Sequence, residues 1–404
     1  MTTLDRRTAL KLGATTTALT FGLGFWREAL ASPVVVGPGP YGPLGAPDQY
    51  GVRLPSGFSA RLIGYTGDRV PGTTFPWVRE PDGAACFATA DGGWIYAANS
   101  EVNGTGGGAA AIRFNRRGEI TDAYRILSDT KWNCSGGATP WGTWLSGEEF
   151  KDGLVWECDP TRPGQGVARP LLGRFPHEAA VVDPVTGWVY LTEDYATGRY
   201  YRFVPDQYGD LSAGVLEAAK LNSAGNRLSW VEVSTQKAER TKRTTPFNRG
   251  EGAFFSDGHV YFTTTGDDRV WAHDTATDAI EVIYDAAELG ADAPLKDPDC
   301  ITAHPTSGDI FVGEDADDLQ LVLLADGGGA RVAAPFVQLV GHAGGETGSP
   351  GQDPDVVPSS SWKPESEITG LAFNPDGTRL YMTSQRGTDG VNGMTFEITG
   401  PFRR

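Results

Sequence analysis

One pattern recurs six times along this chain: a turn containing glycine, an apolar or aromatic strand, then polar or acidic residues where the strand ends. The copies are Asp91–Glu101, Trp141–Glu149, Asp183–Asp194, Ser256–Asp268, His304–Asp315 and Asn374–Arg386. Their turn glycines (Gly93, Gly142, Gly187, Gly258, Gly308 and Gly377) lie 45 to 71 residues apart, the length of a propeller blade with irregular insertions. Partner strands follow several copies, at Ala109–Phe114, Tyr200–Val204, Arg269–His273 and Leu319–Leu324. The chain holds 54 glycines and few long apolar segments of helical period, which favours many short strands. The spacing predicts an all-β fold, a six-bladed β-propeller with irregular insertions. A β-sandwich is the competing fold, but it does not explain one recurring pattern with the same acidic ending.

Repetition has a chemical consequence. If each copy is the same strand of its blade, its acidic end sits at the same height in every blade. Glu101, Glu149, Asp194, Asp268 and Asp315 then converge around one axis. Carboxylates that close together cannot all stay ionised without cations. Any one of them alone reads better as an ordinary solvated strand end; it is the recurrence that points to a cation site.

The most specific stretch is Asn133–Glu149, in which Cys134 stands beside a Gly-Gly turn and a tryptophan-rich strand ends in Glu148-Glu149. Thiolate mixed with carboxylate suits a transition metal better than calcium alone, because calcium takes oxygen ligands. Glu148 and Glu149 face opposite ways on a strand, and Glu149 is the favoured ligand. Three further segments carry chemistry. His177-Glu178 precedes a strand. Arg249 and Glu251 stand two apart among glycines, so that an arginine fork could grip an oxyanion beside a metal-binding glutamate. Asp297-Pro-Asp299-Cys300 adds another carboxylate near the axis. Only five histidines are present, which argues against a His-ligated zinc centre or histidine-driven general-base chemistry. No nucleophile elbow and no phosphate loop is present. Gly341–Val357, rich in glycine, proline and acidic residues, reads as an insertion loop over the channel mouth.

The N-terminus reads as an address. Arg6-Arg7 is the twin arginine of a Tat signal, an apolar run follows to about Phe25, and Ala29-Leu30-Ala31 is a small-x-small cleavage site. The expected organisation is therefore a Tat signal peptide over 1–31, an extended Pro/Gly-rich lead-in over 32–50, and a single propeller domain over 51–404. A protein exported by the Tat translocon and left periplasmic, secreted or at the cell surface follows, with no membrane span in its mature form and a monomeric state. Four cysteines at irregular spacing do not make a disulfide framework, although a Cys86–Cys158 pair is compatible with export. The net charge of −17 excludes a duplex-binding face, which needs basic residues, so no nucleic-acid partner is expected.

The twin-arginine leader, the 133–149 segment, His177-Glu178 and Arg249-x-Glu251-Gly252 together resemble the PhoX-type alkaline phosphatases. The resemblance implies a Tat-exported six-bladed propeller with an axial cluster of ferric iron (Fe3+) and calcium (Ca2+) that hydrolyses small-molecule phosphate monoesters. It matches Cys134 to the family's ligand cysteine, and Glu149, Glu178 and Glu251 to its ligand glutamates. Arg249 matches its phosphate-binding arginine, the catalytic assignment here. Glu101, Asp194, Asp299, Glu314 and Asp315 correspond to calcium ligands mainly through the repeat. Two departures stand out: the chain is short for the family, and Cys300 follows Pro-Asp where glycine or asparagine is more usual. The competing functions are a calcium-stabilised binding scaffold and a calcium-dependent lactonase or esterase-like hydrolase without iron.

Overall fold

The computed structural model of the protein describes residues 34–315, 318–327, 330–342 and 366–404. The expected Tat signal peptide over 1–31 and most of the Gly341–Val357 stretch, expected as an insertion loop, lie outside the described residues. Six antiparallel sheets are arranged around a central axis as a β-propeller. In chain order, the first blade is Pro81–Ala88, Trp94–Ser100, Gly108–Phe114 and Ile120–Leu127; the second is Asn133–Ala138, Trp144–Glu148, Val155–Cys158 and Val167–Ala168. The third has five strands, His177–Val182, Val189–Glu193, Tyr201–Gln207, Asp210–Leu221 and Leu228–Glu232, which accounts for the longest interval between repeats. The fourth is Gly250–Ser256, His259–Thr264, Arg269–Asp274 and Ile280–Asp285; the fifth is Pro298–Ala303, Ile310–Glu314, Gln320–Asp326 and Arg331–Leu339. The sixth combines Ile368–Phe373, Arg379–Ser384 and Met394–Thr399 with Ser59–Tyr65 from the beginning of the chain. That last pairing ties the two ends together and leaves no gap in the ring.

The recurring pattern is the second strand of each blade, and the partner strands read from the sequence are the third. Each first strand packs against the first strands of both neighbouring blades and so lines the axis. Close packing there demands small residues. A Cβ at Gly83 would lie 2.5 Å from Ser135 Cα, one at Gly137 would lie 2.2 Å from Ala180 O, and one at Gly252 would lie 2.7 Å from Asp299 O. Between blades the sheets bury aromatic rings with their polar atoms satisfied: Trp144 Nε1 donates to Asn99 Oδ1 at 2.8 Å, and Trp94 Nε1 donates to the Tyr381 hydroxyl at 2.8 Å.

The lead-in is stitched to the fifth blade: Val34–Val36 pairs in parallel with its outer strand, and Val52–Arg53 pairs with the same strand further along. Among the described residues no helix is long and apolar enough to cross a membrane. All four cysteines are free thiols, so the Cys86–Cys158 pair does not form.

Candidate metal centre

The same local geometry is built six times at one end of the axis. In every blade the pairing of the first and second strands is interrupted by a register shift at the start of the first strand, between Pro81 and Ala84, Asn133 and Gly136, His177 and Ala180, Gly250 and Ala253, Pro298 and Ile301, and Thr369 and Ala372. Such a bulge bends the strand and re-aims a side chain. The residue inside it is Asp82, Cys134, Glu178, Glu251 or Asp299 in the first five blades; in the sixth the unpaired residues are Gly370 and Leu371, and Thr369, the counterpart of Asp82, stays paired with Thr383.

The residue entering the first strand is left-handed in four blades, with φ of 42° at Glu80, 50° at Trp132, 53° at Arg249 and 42° at Asp297. The carbonyls of these four and of Glu367 each accept the N–H of the residue just beyond a second strand: Glu101, Glu149, Thr265, Asp315 and Gln385, at 2.6 to 3.0 Å. Each blade therefore offers two functional positions, one in the bulge and one after the second strand.

These positions meet. Potential ligand atoms of Asp82, Glu101 and Cys134 lie within 4.8 Å of one another; so do those of Cys134, Glu149 and Glu178, and those of Glu178, Glu251 and Asp299. Cys134 and Glu178 each belong to two groups, so the three triads form one continuous chain of donors from five blades. Cys134 Sγ is 3.4 Å from Glu178 Oε1. The first-strand residues that follow the bulge line an axial channel of ≈ 390 Å³, mostly apolar, including Ala84, Gly136, Val181, Ala253, Ile301 and Leu371. The acidic cluster sits at the bulge end of that channel.

Without cations the cluster is electrostatically overloaded. Burial, then the charges of Asp194 and Glu178, raise Glu149 well above the usual carboxylate range. Burial and neighbouring carboxylates do the same to Asp82, Glu178, Glu251 and Asp299. Burial and Glu367 push Glu101 up to about 8 and Asp315 up to about 7. The Cys134 thiol is raised by burial and then by Asp82 and Glu178. Glu178 Oε2 and Gln385 Oε1 are buried without a hydrogen-bond partner among the described residues. Leaving such a group unmet costs ~1–3 kcal/mol, which a bound cation would remove. The donor set thus fits metal: sulfur with carboxylates around Cys134 for a transition ion, and oxygen alone around Glu178, Glu251 and Asp299 for a hard ion such as calcium.

Two arginines stand in the cluster. The Arg249 fork is bidentate on Asp194, Nε to Oδ1 at 2.8 Å and Nη2 to Oδ2 at 2.9 Å, and Nη2 lies 3.1 Å from Glu251 Oε1. Burial disfavours its charge, but Glu251 and Asp194 more than offset this. Its Nη1 has no partner among the described residues, leaving one edge of the fork open. Arg386 holds Glu367 Oε1 through Nη1 at 2.9 Å, with Nη2 3.9 Å from Glu101 Oε2.

The structure brings together Glu101, Cys134, Glu149, Glu178, Asp194, Arg249, Glu251, Asp299 and Asp315. It does not bring Glu314 among them. That carboxylate accepts the backbone N–H groups of Lys296 at 3.0 Å and Gln320 at 2.8 Å, bracing the loops that flank the strand end. Glu148 does the same for Lys131 and Leu154, so alternation along each strand sends this glutamate away from the axis and the next acid towards it. Asp268 also departs from the expected ring. The fourth blade inserts a turn at Thr265–Asp267, Thr265 takes the equivalent position, and Asp268 instead accepts the Asp297 N–H at 2.8 Å.

His177 is a packing residue. Its Nε2 faces Gly173 O at 3.2 Å, its ring lies 3.9 Å from that of Phe175, and burial lowers its pKa to about 3. Sequence reasoning missed Asp82, Glu367, Gln385 and Arg386. A signal for Asp82 was present, because Glu80-Pro-Asp-Gly83 repeats Asp297-Pro-Asp-Cys300. Gln385 carries no charge to attract notice, yet its Nε2 donates to both Asp82 and Glu101.

The sequence profile of the alkaline phosphatase PhoX matches residues 93–155 and 151–281, which contain Cys134, Glu149, Glu178, Arg249 and Glu251. Over these residues the chain is similar to the PhoX family. PhoX from Pseudomonas fluorescens, solved with vanadate as a transition-state analogue, superposes with a TM-score of 0.67 at 16% identity, covering 91% of this chain and 98% of that one. At that identity the likeness establishes the propeller fold. A gluconolactonase from Xanthomonas campestris aligns with a TM-score of 0.48 and 13% identity over 90% of this chain and 99% of its own. A putative 6-phosphogluconolactonase from Bacteroides uniformis gives 0.39 and 15% over 74% of this chain and 80% of its own. No curated protein sequence matches significantly.

Proposed function

We propose that this PhoX-like propeller is an exported phosphatase that hydrolyses small phosphate monoesters at an axial iron and calcium centre. The observation that carries the reading is the unbroken chain of three donor triads, joined through Cys134 and Glu178, with the open edge of Arg249 beside it. Asp82, Glu101, Cys134, Glu149, Glu178, Glu251 and Asp299 would hold the metals, iron on the sulfur side and calcium among the carboxylates. Bound there, the metals would supply Lewis acidity and a nucleophile derived from water at neutral pH.

The chain's own residues do the rest. Asp194 locks the Arg249 guanidinium in one plane, so its open edge meets the oxygens of a phosphoryl group without first losing rotamer freedom. Burial lowers the dielectric around that contact and strengthens it. No histidine serves as base. His177, His273, His304 and His342 are committed to internal contacts, and His259 bonds to Asp257 O at the surface.

The test is elemental analysis of the purified mature protein together with hydrolysis of p-nitrophenyl phosphate. Iron and calcium with turnover support the reading. Calcium alone with no phosphatase turnover would replace it with a binding scaffold, and calcium alone with lactone hydrolysis would replace it with a lactonase.

A further inference from the structure

We propose that the Glu193–Arg240 ion pair positions Arg249, pinning the loop that carries both arginines so that the Arg249 fork reaches the metal centre already placed. This rests on the phosphatase reading and adds two positioning residues to it. The loop, residues 233–249, runs from the third blade's fifth strand, Leu228–Glu232, to the first strand of the fourth blade. Two of its arginines close on adjacent acids at the end of the strand Val189–Glu193. Arg249 is bidentate on Asp194, and Arg240 is bidentate on Glu193, Nη1 to Oε2 at 2.9 Å and Nη2 to Oε1. Alternation turns the two carboxylates apart, as it does at Glu148-Glu149.

The counterparts of Glu193 in the second and fifth blades each accept two backbone N–H groups, Glu148 from Lys131 and Leu154, and Glu314 from Lys296 and Gln320. Glu193 keeps one such bond, from Arg199 N at 2.9 Å. In place of the other it takes the Arg240 fork and the Tyr201 hydroxyl, the latter at 2.9 Å. The buried carboxylate of this blade therefore holds the loop as well as its own turn. Both arginines also meet on Tyr195: the Arg240 guanidinium lies 4.6 Å over its ring, and its carbonyl accepts the Arg249 N–H at 3.0 Å. Between them, Phe247 N donates to Gly198 O at 2.9 Å. Buried Arg199 donates to Thr244 Oγ1 at 2.8 Å and to Thr241 O at 3.2 Å. Arg249 needs this bracing, because its φ of 53° is left-handed, which a non-glycine residue keeps only where its surroundings impose it.

The alternative is that the pair merely fastens a loop. Metal-loaded wild type, Arg240→Met, Arg240→Lys and the double variant Glu193→Gln/Arg240→Met separate the two, compared at a temperature where each is fully folded. The double variant is needed because Arg240→Met alone strands the buried Glu193 carboxylate without its cation. The readouts are calorimetric titration with inorganic phosphate, steady-state kinetics on p-nitrophenyl phosphate, metal content, and amide exchange at Arg249 in metal-free protein. Both variants without the arginine should bind phosphate about 10-fold more weakly and lose at least as much in kcat/KM, with metals unchanged. Their Arg249 amide should exchange about 10-fold faster than in wild type. Arg240→Lys should recover part of each, since it keeps the charge and loses the fork. In an Arg249→Ala background, removing Arg240 should change phosphate affinity less than about twofold, because the residue it positions is gone.

Phosphate affinity within twofold of wild type in the double variant overturns the proposal, and so does unchanged exchange at Arg249. A full loss of affinity on removing Arg240 in the Arg249→Ala background overturns it too, since Arg240 would then act without Arg249. If Arg240→Met does not fold, the double variant carries the test. Wild-type protein that binds and hydrolyses while the variants match it removes this inference and leaves the phosphatase reading standing. Wild-type protein that binds no phosphate removes both.

Discussion

Glu178 is the residue whose loss should have opposite effects with and without metal. It belongs to two of the three triads, and its neighbours within 4.8 Å include ligand atoms of Glu149, Glu251 and Asp299. At that distance two unit charges repel by ~3.5 kcal/mol at an effective dielectric of about 20. Glu178→Gln keeps the side chain's size and removes its charge. In chelator at pH 8 it should therefore stabilise the protein by roughly 3 kcal/mol, raising Tm by about 5 °C for a chain of this length. With iron and calcium present the order reverses. The variant has lost an anionic ligand from two triads at once, its cation affinity should drop at least ~10-fold, and the wild type becomes the more stable form.

The assay is differential scanning calorimetry of both proteins in chelator and in metal, with Glu148→Gln as control. Glu148 accepts backbone N–H groups of Lys131 and Leu154 and lies in no triad, so its substitution should lower Tm in both conditions. If Glu178→Gln also lowers Tm in both, Glu178 is a structural carboxylate and the cluster is not a cation site.

Other expectations rest on separate residues. Arg249→Ala should reduce phosphatase turnover by ~100-fold or more while iron and calcium stay bound, read by kinetics with elemental analysis; full turnover would dismiss the assignment. Cys134→Ser should lose iron and retain calcium, since only the sulfur favours the softer ion. Glu314→Gln should cost ~1–3 kcal/mol in urea unfolding, through weakened bonds to Lys296 and Gln320, with metal content unchanged. The metal-free protein should lose stability as pH rises. Glu101 and Asp315 have folded pKa values of about 8 and about 7, above their unfolded values near 4. Their contribution is complete below about pH 4 and disappears as pH climbs through 7 and 8. Equilibrium unfolding in chelator between pH 5 and 9 reads this directly, and a rise over that window would contradict it.

The blades were legible because the second strands are written in strong local signals: turn glycines, β-branched and aromatic runs, then acids. The strands that line the axis were harder to see. Their sequences, such as Asp82-Gly-Ala-Ala-Cys86 and Cys134-Ser-Gly-Gly-Ala138, are dominated by small residues. Those residues are required by the close approach of neighbouring blades, and they carry little strand propensity. The bulge that turns Asp82 and Asp299 towards the cluster is a backbone event, and its left-handed entry at Glu80 and Asp297 uses ordinary acidic residues in place of glycine. Alternation decides which acid of Glu148-Glu149 joins the cluster, and the same rule applied to Glu314-Asp315 gives Asp315 alone. Asp268 was misplaced because a one-turn insertion in the fourth blade carries it past the ring, a local irregularity that a repeat alignment cannot register. The sixth blade's share was hidden because glutamine and threonine stand where the other blades mostly carry acids or cysteine.

The central claim is that bulged first strands from five blades, together with the residues that follow their second strands, deliver one thiol and a set of carboxylates to a shared cation centre. Element-specific anomalous diffraction from crystals of the metal-loaded protein tests it most directly. The account predicts an iron peak enclosed by Cys134, Glu149 and Glu178, and calcium density among Glu178, Glu251 and Asp299. Strong cation peaks confined to the outer surface, with the axial carboxylates left bare, would contradict it.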